Sequence, residues 1–201
     1  MTAQIILLSG PPAVGKDTVT AALAASDPRF RLFEKLKLGG GRSDGYRMID
    51  VREYQRMLDA GDVLQSNERY GNLYAVDRPR LQELLSAGAI PVIHVGRRTN
   101  PPALREAAGH RQVLSVLLWA ARDVLRTRLR ERQADDIPER LKAYDQELKE
   151  LKASCPDADF DIMIRTDQVT VQAVVKRIQA AVSGRPLPTD AGAIFTGMTE
   201  P

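Results

Sequence analysis

The stretch LLSGPPAVGKDTV, residues 7–19, constrains this chain more than any other. Gly10, Gly15 and Lys16 stand at the spacing of a phosphate-binding loop, after a short apolar run and before a stretch of helical composition. Such a loop works only where a strand ends in a Gly/Pro turn and a helix starts at once. Successive backbone N–H groups and the helix N-terminus then surround a polyphosphate, while the lysine reaches its outer oxygens. The residues assigned to that task are Gly10, Pro11, Pro12, Ala13, Val14, Gly15, Lys16, Asp17 and Thr18. One position departs from the usual pattern, because Asp17 stands where Ser or Thr is common and the hydroxyl of Thr18 comes one place late.

The rest of the chain supplies the frame that such a loop needs. Residues 4–9, 91–95, 113–120 and 160–166 read as short buried strands, and residues 17–25 as the first helix. Strands that alternate with helices predict a doubly wound parallel sheet of the α/β class. With 201 residues, 43% of them hydrophobic, the chain is long enough for one domain with a real core. Residues 1–183 are expected to form that domain, and residues 184–201, rich in Pro, Gly and Thr without periodicity, a flexible tail. The lone Cys155 excludes an internal disulfide, and no Cys/His spacing suggests zinc. No apolar run is long enough to span a membrane, and the N-terminus does not read as a signal peptide, so a cytoplasmic protein without a membrane partner is expected. A formal charge of +3 gives little reason to expect a nucleic-acid partner. More informative is the local surplus at residues 122–132, five arginines against two acids, which gains meaning where an anion must be clamped. The oligomeric state is left open.

The wording of the loop resembles the opening of guanylate kinases, in which the hydroxyl after the lysine is also commonly delayed by one place. Asp17 is closer to the Lys-Asp-Ser of ribose 1,5-bisphosphate phosphokinases, a sister group of the same fold. The resemblance extends in order over about 180 residues and implies a P-loop NTPase fold, guanylate-kinase-like, with an acceptor-binding segment near 31–80 and an arginine-rich lid near 126–142. It implies ATP as phosphoryl donor and Mg2+ as its companion, with Asp17 and Thr18 as candidate metal-holding residues. DGYRMIDV and NERYGNLYAV are similar to the family's acceptor segment, which places Tyr46 and Tyr74 on the two tyrosines that bind the acceptor's phosphate. Residues 117–141 resemble the lid, making Arg128, Arg132 and Arg140 the expected catalytic cations beside Lys16, with Arg132 also touching ATP. Phosphoryl transfer needs in-line placement and positive charge more than covalent chemistry.

Departures from the family pattern bear on the acceptor. Gln65 replaces the glutamate that reads the guanine edge, and an amide cannot supply two ionic acceptors. Val76 replaces the small hydroxyl beside the base. The family's acceptor-side arginines are missing, which leaves Lys35, Lys37 and Arg42 as substitutes, and Arg97 matches an arginine of the ribose bisphosphokinases. His94 and Gly96 fall on the family's strand acids; His94 alone could equally be a hydrogen-bonded core residue. Three readings follow. The first is an ATP-dependent kinase acting on a small phosphorylated acceptor, either a nucleoside monophosphate, with GMP disfavoured, or a sugar phosphate such as ribose 1,5-bisphosphate. The second is a guanylate-kinase-like binding module that has lost catalysis. The third is a nucleotide hydrolase or switch, for which no water-positioning or guanine-reading motif is present.

Overall fold

A computed structural model of the chain describes residues 3–69, 71–95, 102–109, 112–152 and 160–185. The first strand, β1 (Ala3–Ser9), shows how the sheet arises. Ile5, Ile6, Leu7 and Leu8 are all at most 2% exposed, although a strand turns successive side chains to opposite faces. Both faces are therefore covered: Ile6 and Leu8 enter one apolar cluster, Ile5 and Leu7 the other. A continuous apolar run is what a two-sided parallel strand requires.

The elements that follow are α1 (Lys16–Ser26), β2 (Phe30–Leu32), β3 (Lys35–Leu38), β4 (Tyr46–Met48), α2 (Val51–Asp59), β5 (Val63–Arg69), β6 (Asn72–Asp77) and α3 (Arg78–Ser86). After them come β7 (Ile90–Val95), α4 (Pro102–Ala108), β8 (Gln112–Trp119), α5 (Arg122–Glu131), α6 (Ile137–Lys152), β9 (Ile162–Arg165) and α7 (Val171–Val182). A five-stranded sheet has the order β2-β7-β1-β8-β9, and every pairing in it is parallel. The expected doubly wound α/β architecture is thus present, with the helix bounds within a residue of expectation at α1 and the last strand shorter than expected. The three-residue β2 was not anticipated, being too short to carry a pattern.

On one face, Val19 and Leu23 of α1, Leu125 of α5, Tyr144 of α6 and Val174, Val175 and Ile178 of α7 close the first cluster. On the other, Leu81 and Leu84 of α3 and Leu104 and Ala108 of α4 close the second, together with Phe33, Leu64 and Val76. Those last three lead to a second sheet within residues 31–80, of order β4-β3-β6-β5, in which β3 runs antiparallel to β6 and β6 to β5. Its helix α2 buries no residue. Among the described residues, no helix is long and apolar enough to cross a membrane. Cys155, Arg97 and the tail from residue 186 lie outside the described residues.

Candidate active site

In a parallel sheet of this order, chain direction reverses beside β1, and the crevice beyond the strand C-termini there is where such folds bind ligands. The loop 10–15 fills that place. Gly10 (φ 137°) lies so close to β8 that a Cβ would sit 2.2 Å from the Leu118 carbonyl oxygen, so only glycine fits. Gly15 (φ 106°) has open space where a side chain would stand, and it begins α1 without a side-chain cap. The first N–H groups of α1 are therefore left for a ligand, whereas α2, α3 and α7 are capped by Asp50, Asp77 and Thr170. The loop is pinned from beneath: Thr166 Oγ1 donates to the Val14 carbonyl at 2.8 Å. Lys16 Nζ donates back to the carbonyls of Gly10 (2.5 Å) and Pro11 (3.0 Å). These features fit the triphosphate of a nucleotide.

In front of the loop lies a cleft of about 260 Å³ between the two sheets. Its floor carries Pro12, Ala13, Gly15, Lys16 and Asp17; its far wall is one face of the second sheet. The register explains that face. Lys35 pairs with Tyr46, Lys37 with Tyr74, and Asn67 with Tyr74. Residues two apart share a face, so Lys35, Lys37, Tyr46, Tyr74, Asn67 and Arg69 all line the cleft. The two tyrosine rings lie 5.2 Å apart, with Lys35 Nζ 5.4 Å and Lys37 Nζ 5.8 Å from the Tyr74 ring centre. Lys37 is 3% exposed and donates to the carbonyls of Gly40 (2.6 Å) and Arg42 (2.8 Å), so it also shapes the glycine loop that brings Arg42 to the rim. Arg132 and Arg140 complete the wall from the turn between α5 and α6.

The expected residues distribute between two places. Arg132 faces both the cleft and a neighbouring, more apolar pocket of about 220 Å³ lined by Val14, Thr18, Arg128, Thr166 and Val174 among others. Arg128 belongs to that second pocket, where its guanidinium donates to Thr166 Oγ1 (3.1 Å) and the Thr166 carbonyl (3.0 Å). It is thus placed beside the loop rather than with Arg140 at the cleft. Thr18 turns to the same pocket, whereas Asp17 faces the cleft, so the expected metal pair is split over two sides of α1.

Val76 is 2% exposed and packed in the second core cluster, and Gln65, its register partner, is likewise absent from the cleft wall. Both lie on the same strand faces as the cleft residues, but at the end of the hairpin that runs under α3 and β7. Position along the strand, which alternation does not reveal, decides the matter. Instead the wall presents Asn67 and Arg69, which sequence reasoning passed over although period-two spacing from Gln65 could have pointed to them.

His94 is a cleft residue. Its Nε2 lies 2.8 Å from Thr20 Oγ1, and its Nδ1 lies 3.5 Å from Asp17 Oδ1. Burial, and then the Lys16 charge, push its pKa down to about 3, so it is a neutral ring that orients its neighbours. Asp17 is the one carboxylate on the cleft wall among the described residues, and Arg42 Nη1 reaches it at 3.4 Å. No group of three or more metal-ligating side chains occurs among them. A single carboxylate suits Mg2+ that is carried mainly by phosphates and water.

The cleft is strongly cationic, and burial has measurable consequences there. Desolvation lowers Lys16 to about 8, with Glu147 opposing; desolvation and then Lys16 lower Lys35 to about 8. Both folded-state values lie below the unfolded value of 10.5, so their charges disfavour the ligand-free fold below pH 8, and this penalty is relieved as pH rises from about 8 to 10.5. Anion binding has the opposite sign. ATP affinity, followed by calorimetry from pH 7 to 9.5, should weaken above pH 8 as the lysines lose their protons; a flat profile would contradict these assignments.

A parallel α/β sheet and a glycine loop that leads into an uncapped helix define the P-loop NTPase fold. No family model matches the chain. It is 26% identical over 186 residues to the guanylate kinase of Ralstonia nicotianae, covering 89% of this chain and 81% of that protein. It is 28% identical over 189 residues to that of Bordetella pertussis, covering 89% and 84%. The guanylate kinase structure from Anaplasma phagocytophilum superposes with a TM-score of 0.62 at 19% identity, over 94% of this chain and 88% of that one. A gluconokinase from Sinorhizobium meliloti shares the fold, with a TM-score of 0.52 at 17% identity over 97% of each chain. The chain has the P-loop NTPase fold and is similar to guanylate kinases over most of its length.

Proposed function

We propose that this chain, as a single kinase domain over residues 1–183 working in the cytoplasm, transfers the γ-phosphate of ATP to a small phosphorylated acceptor of the nucleoside monophosphate class. The observation that carries the proposal is the joining of two anion sites in one cleft. Lys16 and the uncapped α1 line it from the first sheet, Lys35, Lys37, Arg69 and the tyrosine pair from the second, and Arg42, Arg132 and Arg140 line the same cleft. One nucleotide would use only half of these groups.

The loop N–H groups and Lys16 would hold the donor phosphates. Mg2+, bound through Asp17 and the ATP oxygens, would supply charge neutralisation there. Tyr46, Tyr74 and the lysines would orient the acceptor phosphate, a tyrosine hydroxyl donating from a stiff ring without added charge. Arg132 and Arg140 would meet the charge that spreads over the transferred group as water is expelled.

GMP is not the preferred acceptor in this account. Position 65 carries an amide rather than a carboxylate, and Asp17, beside Lys16, is the one carboxylate among the described residues that line the cleft, so the acceptor wall offers none to a guanine edge. A site lacking a polar partner built for a given base loses discrimination for it steeply. The same observation favours the second reading, a sugar phosphate such as ribose 1,5-bisphosphate. ADP release measured over a panel of nucleoside monophosphates and sugar phosphates should show GMP as a poor substrate and at least one other phosphomonoester as a good one. Saturable GMP phosphorylation at micromolar concentration would contradict this.

A further inference from the structure

Glu147 occupies an unusual place for a carboxylate. On α6 it falls in the stripe Tyr144, Glu147, Leu148, Leu151, at the spacing of one helix face. Tyr144 stacks on Trp119 with ring centres 4.8 Å apart, and Leu148 and Leu151 belong to the same apolar cluster. Glu147 is 8% exposed on this buried stripe. A carboxylate there is costly unless paired, and it is paired with Arg69 Nη2, which reaches it from the tip of the β5–β6 hairpin on the other sheet.

Arg69 also lines the cleft. It lies within the field of Lys16 at the phosphate-binding loop and of Lys35 on the acceptor wall, since its charge lowers the pKa of both. The cleft it lines also holds Lys16 of the phosphate-binding loop and Lys35 of the second sheet, so it shares one cavity with both halves. A guanidinium is a rigid planar fork, so the pair with Glu147 fixes the plane in which the arginine meets the cleft it lines.

We propose that Arg69 is a ligand of the acceptor's phosphate at the junction of the two half-sites, and that Glu147 is its positioning residue. This rests on the acceptor reading above and assigns that phosphate to the end of the acceptor that faces Lys16. It also supplies from β5 a cation that replaces the missing acceptor-side arginines.

Calorimetry on the full chain, titrated separately with ATP and with a panel of AMP, CMP, UMP, GMP, ribose 5-phosphate and ribose 1,5-bisphosphate, tests the assignment. Arg69→Ala should weaken whichever phosphomonoester the parent binds by about tenfold to a hundredfold, the scale of a lost charge-assisted hydrogen bond, while ATP affinity stays within about twofold. Glu147→Gln, which keeps the arginine charge but loosens its fork, should weaken the same compound by a smaller factor. Should Arg69→Ala fail to fold, Arg69→Lys keeps the pair with Glu147, and it should lose phosphomonoester affinity at an unchanged unfolding temperature. Phosphomonoester binding that Arg69→Ala and Arg69→Lys leave intact, or equal losses for ATP, would overturn the assignment alone. A parent protein that binds ATP but no phosphomonoester of the panel would overturn the acceptor reading, and this inference with it.

Discussion

Replacing Lys16 by alanine should reduce phosphoryl transfer by roughly a thousandfold or more, because the outer phosphates lose the one ammonium that the loop aims at them. The fold should survive. Lys16 is held by two loop carbonyls, but burial pulls its pKa down to about 8, so at neutral pH its charge works against the ligand-free structure. The thermal midpoint of Lys16→Ala measured without nucleotide at pH 7 should therefore lie close to or above that of the parent, while added ATP raises it far less than in the parent. Unchanged turnover in this variant would remove the basis for calling the chain a kinase.

The turn between α5 and α6 carries the second large effect. Arg132 caps α5 and Arg140 is the fourth residue of α6, and both side chains line the cleft. If they meet the transferred group chiefly in the transition state, Arg132→Ala and Arg140→Ala should each lower kcat by roughly a hundredfold, with a smaller change in KM for ATP. Stability should move little. Arg140 pairs with Asp136 at 2.5 Å, but both side chains are more than a third exposed, and such a pair contributes at most about 1 kcal/mol. Arg128 provides the contrast. Its guanidinium ties α5 to Thr166 and reaches the Val14 carbonyl at 3.4 Å, so Arg128→Ala should lower the unfolding temperature and ATP affinity together. Full activity in Arg132→Ala and Arg140→Ala would make the turn a solvated surface rather than part of the site.

The main sheet was legible because its strands are buried on both faces, so that runs such as residues 5–8 and 116–120 are apolar without interruption. The loop was legible because Gly10 and Gly15 answer a steric demand that few other residues meet. The second sheet was harder to read. Its strands are three to seven residues long, and its cleft face is made of Lys, Tyr, Asn and Arg, which in sequence resemble an exposed loop. Lys37 illustrates the difficulty: a lysine beside three glycines suggests a mobile segment, yet it is nearly fully buried, with two carbonyls at its ammonium and two aromatic rings beside it. Long-range pairs leave still less trace. Thr20 with His94, Thr166 with Val14 and Arg69 with Glu147 join residues 74 to 152 apart, and no local pattern announces them. Val76 shows the converse: it shares a strand face with Tyr74, yet the depth at which β6 enters the core buries it in the second apolar cluster.

The central claim is that one cleft holds a donor polyphosphate and a phosphorylated acceptor and passes a phosphoryl group between them. The most direct test follows γ-labelled ATP, incubated with the protein, Mg2+ and the panel of nucleoside monophosphates and sugar phosphates, and identifies the labelled product by mass. The expected result is ADP in one-to-one yield with a labelled acceptor that has gained one phosphoryl group, and no such product with Lys16→Ala. Label found only in inorganic phosphate, or no consumption of ATP with any acceptor, would contradict the account.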